Sequence, residues 1–198
     1  MSDIVRPMQA MDIDRVYELE KTCFRTPWSR DSLAGELKNK IAHYLVLERD
    51  GRVVAYAGMW IIYEEAHITN VAVAPAFRRQ GIAKRVMLCM MRTARLFDAT
   101  EMTLEVRENN LGAQALYAQL DFEKAGVRKG YYTDTGEAAY IMWNRDIGLI
   151  LEKSNDWDMS WFQIPAQRAA RLVEGRARGI MASPNSFCSE PLSREKGQ

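Results

Sequence analysis

A cluster of basic side chains surrounds Gly81 in the stretch NVAVAPAFRRQGIAK, residues 70–84, where an apolar segment ends and a predicted helix begins. The cations are Arg78, Arg79, Lys84 and Arg85. A helix N-terminus has a partial positive charge and unpaired N–H groups, so bases are disfavoured there unless an anion occupies the position. Glycine lets the backbone approach such an anion without a Cβ atom in the way. The pattern therefore predicts a cradle for a pyrophosphate group.

The predicted cradle differs from the two common phosphate-binding motifs. It contains neither Gly-x-x-x-x-Gly-Lys-Ser/Thr nor Gly-x-Gly-x-x-Gly. An ordinary ATPase or a dinucleotide-dependent dehydrogenase is therefore not indicated.

Composition narrows the class of protein further. The chain has 198 residues, 47% of them hydrophobic, which is enough for one domain with a sizeable core. A net charge of +1 argues against specific nucleic-acid binding by the domain. No apolar run suits a bilayer or a signal peptide, so we expect no membrane association and a cytoplasmic location. Three cysteines without close pairs and two histidines predict neither a disulfide framework nor a metal site.

Hydrophobic periodicity predicts alternating elements up to about residue 145. The predicted strands are residues 4–6, 44–48, 52–62, 67–73, 101–107, 122–129 and 138–144, and the predicted helices are residues 12–22, 30–39, 82–98 and 111–120. Ser29 and Asn110 are the expected caps of the second and fourth helices. The order β α α β β β α β α β β predicts an α/β, or layered α+β, fold with a mixed central sheet flanked by helices.

Five segments, together with the loop Arg-x-x-Gly-x-Ala between a strand and a helix, resemble the GNAT N-acetyltransferases. The segments occur in the same order as in the ribosomal-protein-alanine N-acetyltransferase (RimI-like) branch of that superfamily and resemble that branch. These segments are Thr26-Pro27-Trp28-Ser29, Glu65-Ala66-His67-Ile68-Thr69-Asn70, Leu104-Glu105-Val106-Arg107, Ala115-Leu116-Tyr117 and Arg128-Lys129-Gly130-Tyr131-Tyr132. The resemblance covers roughly residues 1–145 and implies the GNAT acyl-CoA fold.

The resemblance implies acetyl-CoA as co-substrate and no metal. It assigns Glu105 as the general base and Tyr117 as the acid that protonates the departing thiolate. The cofactor-binding positions that it implies are Val71, Ala72 and Val73 for the pantetheine arm, Arg79, Gln80, Gly81, Ile82, Ala83 and Lys84 for the pyrophosphate, and Asn110. The family pattern Arg-x-Ser-Asn reads Arg107-Glu108-Asn109-Asn110 here, so the serine is replaced.

Acetyl transfer from a thioester requires a neutral amine. Roughly a tenth of protein α-amines are neutral at pH 7, against well under a thousandth of lysines. One carboxylate, acting directly or through water, is therefore a sufficient base for an α-amine, and a phenol can supply the proton to the thiolate. Direct attack without a covalent nucleophile is the simpler mechanism.

Each of these residues also has an ordinary interpretation. Pattern alone favours a solvated strand carboxylate for Glu105 and a core tyrosine for Tyr117, and only the resemblance favours catalysis. His67 is expected to be structural or peripheral. The resemblance places Trp28, Tyr131 and Tyr132 near a peptide groove, and the alternative for them is core aromatics. Glu65 could bind a charged terminus of the substrate, and the alternative for it is an ordinary turn carboxylate.

Residues 146–198 form a predicted extension to the domain at residues 1–145. Trp157 and Trp161 suit one helical face, and residues 167–178 suit a basic helix that docks on the domain or meets ribosomal RNA or an acidic partner. Residues 183–198 are expected to be disordered.

Three functions remain open from the sequence. The leading hypothesis is an N-alpha-acetyltransferase that modifies a protein N-terminus, such as the N-terminal alanine of a small-subunit ribosomal protein. The second is a GNAT enzyme that acetylates a lysine or a small-molecule amine. The third, of another class, is a non-catalytic acyl-CoA-binding adaptor.

Overall fold

The computed structural model describes residues 3–153 and 162–163 and contains one seven-stranded sheet in the order β1-β2-β3-β4-β5-β7-β6. The strands are β1 (Asp3–Pro7), β2 (Ala42–Arg49), β3 (Arg52–Ile62), β4 (Glu65–Val73), β5 (Glu101–Arg107), β6 (Glu123–Tyr132) and β7 (Glu137–Asn144). The helices are α1 (Ile13–Cys23), α2 (Arg30–Glu36), α3 (Ile82–Leu96), α4 (Leu111–Ala118) and α5 (Ile147–Lys153). The predicted layered fold with a mixed sheet is confirmed.

Local sequence signals set several element boundaries as predicted. Strands β3 and β5 begin and end at the predicted residues. The Ser29 side chain accepts a hydrogen bond of 3.0 Å from the Ser32 N–H and so caps α2. The Asn110 side chain caps α4 by accepting from the Ala113 N–H at 3.2 Å. Helix α2 ends at Glu36, three residues before its predicted end.

Two apolar layers cover the sheet. On one face, α3 packs Val86 and Met90 against strand residues such as Met102 and Leu104, all buried. On the other face, α1 and α2 pack over the half of the sheet that begins with β1, around the buried Tyr56. Alternation along β5 explains this arrangement, because Met102 and Leu104 point to α3 whereas Glu105 points to the opposite face.

The pairing of β4 with β5 positions the cleft of the protein. These two strands run parallel, from the pair Glu65–Glu101 to the pair Ile68–Leu104. Beyond Ile68 their backbones are no longer paired, whereas β4 continues beside β3 to Val73. The two strands therefore part in the middle of the sheet.

Residues beyond 145 contribute to the folded core. Helix α5 buries Ile147 and Ile150, and Phe162 is also buried in this core. Phe162 forms a bridge with Val5, and the Gln163 N–H donates to the Val5 carbonyl at 2.8 Å. The division into 1–145 and 146–198 stays a prediction. The helix expected at 167–178, Trp157, Trp161 and the disordered segment expected at 183–198 lie outside the described residues.

Within the described ranges, no helix combines the length and the apolar character needed to cross a membrane.

Helix α5 offers a matched pair of substitutions that tests its contribution to the core. Ile147→Ala should lower the free energy of unfolding by about 2–5 kcal/mol, because Ile147 is fully buried and its removal leaves a cavity. Leu149→Ala, at a side chain that is 45% exposed, should change it by less than about 0.5 kcal/mol. Urea denaturation measures both, and equal effects would contradict the docking of α5.

Candidate active site

A cleft of about 630 Å³ opens where β4 and β5 part. Its walls come from the end of β4, the loop before α3, the first turn of α3 and helix α4. Most of the cofactor-binding positions predicted from the resemblance line it: Val71, Ala72, Val73, Arg79, Gly81, Ile82, Ala83, Lys84 and Asn110. Tyr117 lines the same cleft.

The loop at Gly81 forms an anion-binding geometry. Gly81 has φ +77°, a left-handed conformation that favours glycine, and α3 begins there without a side-chain cap. Arg79 has φ +62°. Neither Arg79 nor Lys84 forms a hydrogen bond or an ion pair with another described residue. Two cations and the unfilled N–H groups of a helix start therefore face the same space.

Three other side chains of this basic stretch already have partners. The Arg78 Nε donates to the Val73 carbonyl at 3.1 Å, and Arg85 is paired with Asp3. The Gln80 side chain accepts from Arg49 Nη1 at 2.7 Å and does not line the cleft. Of the four predicted cations, Arg78, Arg79 and Lys84 line the cleft, with Arg78 bound to the Val73 carbonyl there, whereas the side chain of Gln80 is held outside it.

The end of β4 presents to the cleft a backbone edge that β5 does not cover, although the Val73 carbonyl on it already accepts from Arg78. Residues Val71–Val73 pair with β3 on one side, through Ala57–Val71 and Ala55–Val73, but not with β5 on the other. An extended segment with amide groups can add to such an edge as a further strand.

Glu105 lies beside the cleft with both carboxylate oxygens engaged. Oε2 is 2.7 Å from His67 Nε2, and Oε1 is 3.1 Å from Arg128 Nη1. The side chain is only 9% exposed. The hydrogen bond from His67 lowers the pKa of Glu105; burial opposes this, and the charges of His67 and Arg128 add to it. Glu105 is therefore an ionised, buried carboxylate at neutral pH.

Tyr117 is a buried phenol at the wall of the cleft. It lies in α4, and its ring packs on Phe122 with 5.7 Å between the centroids. Burial raises the pKa of Tyr117 well above that of an ordinary tyrosine, so it stays protonated at neutral pH. Tyr117 is thus a core tyrosine that also lines the cleft, and its role as an acid stays a prediction.

An irregularity in the edge strand β6 brings two tyrosines to the site. Between the pairs Arg128–Ala139 and Tyr132–Glu137, β6 contains two residues more than its partner, and Gly130 has φ +62°. The rings of Tyr131 and Tyr132 pack edge to face at 5.1 Å. The Arg128 guanidinium, which binds Glu105, lies 5.6 Å from the centre of the Tyr131 ring. Burial, first, and the charge of Glu105 raise the pKa of Tyr131.

Arg107 holds the turn that carries these tyrosines. It is paired with Asp134 and Glu137, each at 3.1 Å, and its guanidinium lies 3.8 Å from the centre of the Tyr132 ring. The Asn109 N–H also donates to Glu137 at 2.9 Å. The position at which the family pattern has serine therefore helps to fix the β6–β7 turn in this chain.

Trp28 and Glu65 both lie at the periphery of the site. The Trp28 N–H donates to Glu20 at 2.7 Å, and its ring lies 6.5 Å from that of Trp60. Trp60 in turn meets His67 edge-on at 6.5 Å. Glu65 is exposed at the start of β4 and lines a separate, shallow depression with Glu101. The structure therefore connects Trp28 to the site through aromatic contacts, whereas Glu65 lies at its margin.

Three residues of the site, His67, Arg128 and Glu20, were not predicted as site residues from the sequence. His67 and Arg128 bind Glu105, although the expectation for His67 was a structural or peripheral role. Glu20 is fully buried and also accepts hydrogen bonds from Tyr56 and, at 3.0 Å, from Asn70. Burial raises the pKa of Glu20, with the hydrogen bonds opposing it. The sequence could have indicated a role for Glu20, because this acid lies beside Leu19 on the apolar face of α1.

The parted sheet and the basic helix start at the cleft agree with the architecture of an acyltransferase. The sequence profile of the acetyltransferase (GNAT) family matches residues 13–122. The chain belongs to this family and is an acetyl-transferring enzyme.

Relatives and solved structures agree with this classification. The chain is 44% identical over 140 residues to a Bacillus subtilis protein provisionally named [ribosomal protein bS18]-alanine N-acetyltransferase, covering 70% of this chain and 93% of that one. It is 29% identical to the Escherichia coli protein of that name. The crystal structure of the E. coli ribosomal-protein-S18-alanine N-acetyltransferase superimposes with a TM-score of 0.66 over 71% of this chain and 92% of that chain. Ard1 from Thermoplasma volcanium, at 24% identity, shares the fold with a TM-score of 0.68.

The role of Arg107 can be tested by amide hydrogen exchange. Arg107→Ala should speed exchange in residues 132–137 roughly tenfold, because the turn loses its charged hydrogen bonds and the stack on Tyr132. Arg145→Ala is the matched control, since Arg145 also has an ion pair and a ring contact, with Glu101 and Trp143. It should leave exchange in 132–137 unchanged, and an equal effect of both variants would contradict the assignment.

Proposed function

We propose that the protein is an acetyl-CoA-dependent N-alpha-acetyltransferase that modifies the N-terminal alanine of ribosomal protein bS18. The observation that carries the proposal is the cleft where β4 and β5 part, which joins the anion cradle, the end of β4 and the phenol of Tyr117, with Glu105 following directly on the last paired residue of β5. The names of the relatives from B. subtilis and E. coli support the acceptor. A ribosomal acceptor also supports action in the cytoplasm.

The residues of the cleft suit acetyl-CoA. The start of α3 with Arg79 and Lys84 suits the pyrophosphate, because the helix has no side-chain cap and these two cations have no described partner. The free edge of Val71–Val73 suits the amides of the pantetheine arm. The Asn110 side chain caps α4 through its oxygen, which leaves its amide group for a contact at the cleft. Bound acetyl-CoA supplies the activated acetyl group.

The proposed chemistry is a direct transfer with two proton movements. The acceptor nitrogen forms a bond with the thioester carbonyl carbon, the carbon–sulfur bond breaks, and the electron pair leaves with sulfur. Glu105 takes the proton from the nitrogen, directly or through a water molecule, and Tyr117 donates its phenolic proton to the thiolate. Cys89 is buried, and burial raises the pKa of its thiol, so it is no candidate for a covalent nucleophile.

The environment of Glu105 favours an α-amine over a lysine as acceptor. Because His67 and Arg128 lower the pKa of Glu105, it is a weak base. A weak base suffices for an α-amine, a substantial fraction of which is already neutral at pH 7, but serves a lysine poorly. Trp28, Tyr131 and Tyr132 are the proposed contacts of the acceptor peptide, with Glu65 at the margin available for a charged group.

Substitution of the two proposed catalytic groups separates chemistry from binding. Glu105→Gln and Tyr117→Phe should each lower kcat by about 10²–10⁴-fold, because each removes one proton-transfer group. Both should bind CoA with unchanged affinity in calorimetric titration. Gly81→Glu should abolish CoA binding, since it places an acid at the anion cradle. An unchanged kcat in both variants would refute the assignment of Glu105 and Tyr117 as the proton-transfer groups.

A peptide panel tests the acceptor. We expect mass gains of one acetyl group on peptides beginning with the bS18 N-terminal sequence, and none on the same peptide with a blocked N-terminus and an internal lysine. Peptides beginning with serine or methionine measure selectivity for alanine. Acetylation of the blocked peptide, with a rate that rises steeply to pH 10, would instead identify a lysine acetyltransferase.

A further inference from the structure

The side chain of His67 holds one oxygen of the Glu105 carboxylate. Its Nε2 lies 2.7 Å from Oε2, and because an ionised carboxylate only accepts hydrogen bonds, Nε2 carries the proton and donates. Arg128 holds the other oxygen at 3.1 Å. Each oxygen retains a further lone-pair direction, so the carboxylate can still receive a proton from an acceptor amine.

His67 is the more firmly placed of the two partners. It lies in the interior of the sheet, where β4 is paired through Trp60 of β3 and Thr103 of β5. Its ring also meets the Trp60 ring edge-on. Arg128 lies in the edge strand β6 next to the irregular segment and is 52% exposed. The orientation of the carboxylate is therefore determined mainly by the imidazole.

Charged groups from several strands surround the imidazole. They are Glu105 of β5, Glu65 of β4 and Arg128 of β6, with Glu36 of α2 accepting a hydrogen bond from the neighbouring Trp60. The hydrogen bond to Glu105 raises the pKa of His67 above its ordinary value, burial opposes this, and the charges of both carboxylates add to it. The imidazolium form therefore persists to higher pH than in an isolated histidine.

We propose that His67 is a positioning residue for Glu105, an inference that rests on the proposed role of Glu105 as proton acceptor. His67 aims the carboxylate at the acceptor amine, and its protonation state sets how strongly the carboxylate attracts the proton of that amine. While the imidazole is charged, Glu105 is a weaker base. When the imidazolium loses its Nδ1 proton at higher pH, the Nε2–H still donates to Glu105. Glu105 then becomes a stronger base, because the positive charge beside it is gone. Turnover should thus rise through the pKa of His67.

The pair can be observed directly by NMR, because the chain contains only His43 and His67. Their imidazole signals, assigned by H43Q and H67Q, should give a pKa for His67 above the ordinary value of a histidine, and that pKa should fall in the E105Q variant. The imidazole signals of His43, which packs on Phe97 at 4.0 Å, serve as the internal control and should not respond to E105Q. An unchanged pKa of His67 in E105Q would overturn the proposal.

Steady-state kinetics between pH 6 and 9 test the consequence for turnover. H67A should lower kcat by about tenfold or more with an unchanged KM for acetyl-CoA, because a misplaced proton acceptor slows chemistry without affecting the cradle. H67Q supplies a neutral amide donor to the same oxygen and should restore most of the rate. In H67Q, the pH dependence of kcat should be only that which the titration of the peptide amine produces. H43Q should keep both the rate and the profile.

The outcomes separate this proposal from the one on which it rests. If E105Q is inactive but H67A has the wild-type kcat and pH profile, the positioning role of His67 is refuted and the base assignment stands. If E105Q is fully active, the base assignment itself fails, whatever the histidine variants do.

Discussion

The hydrogen bonding between β4 and β5 ends at Ile68 and Leu104, and the rest of the candidate site depends on the gap that follows. The register of β4 against β3 shifts at the same level, where Met59 pairs with Ile68 and Gly58 with Asn70, so that Thr69 is an extra residue. Gly58 is required there, because a Cβ atom would lie 2.3 Å from the Tyr44 ring. The gap leaves the edge of Val71–Val73 open and lets Tyr117 reach the cleft from α4.

The two proposed proton-transfer groups have pKa values shifted by opposite environments. Glu105 lies among His67 and Arg128, which stabilise its ionised form, whereas Tyr117 lies among apolar groups, which stabilise its neutral form. The difference keeps one group as a proton acceptor and the other as a proton donor at the same pH. The two environments differ because the groups come from different elements, Glu105 from β5 and Tyr117 from α4.

The sequence predicts the features that arise from local pattern. Alternation in β5, the caps Ser29 and Asn110, and the glycine at the start of α3 each act over a few residues, and the structure has them as predicted. The contact of His67 with Glu105 joins residues 38 positions apart and depends on the parallel register of two strands, which no local signal specifies. The hydrogen bond from Arg49 to the Gln80 side chain likewise depends on tertiary packing.

The bridge between Val5 and Phe162 has a consequence for the order of folding during synthesis. Strand β1 pairs with β2 on one side, and its other edge receives the Gln163 N–H near Phe162. This edge of the sheet therefore stays open until residues near 162 have left the ribosomal exit tunnel. An unpaired strand edge is a template for association with other chains. The β1 edge is thus covered only after the last strand of the sheet, which ends at Asn144, has been synthesised.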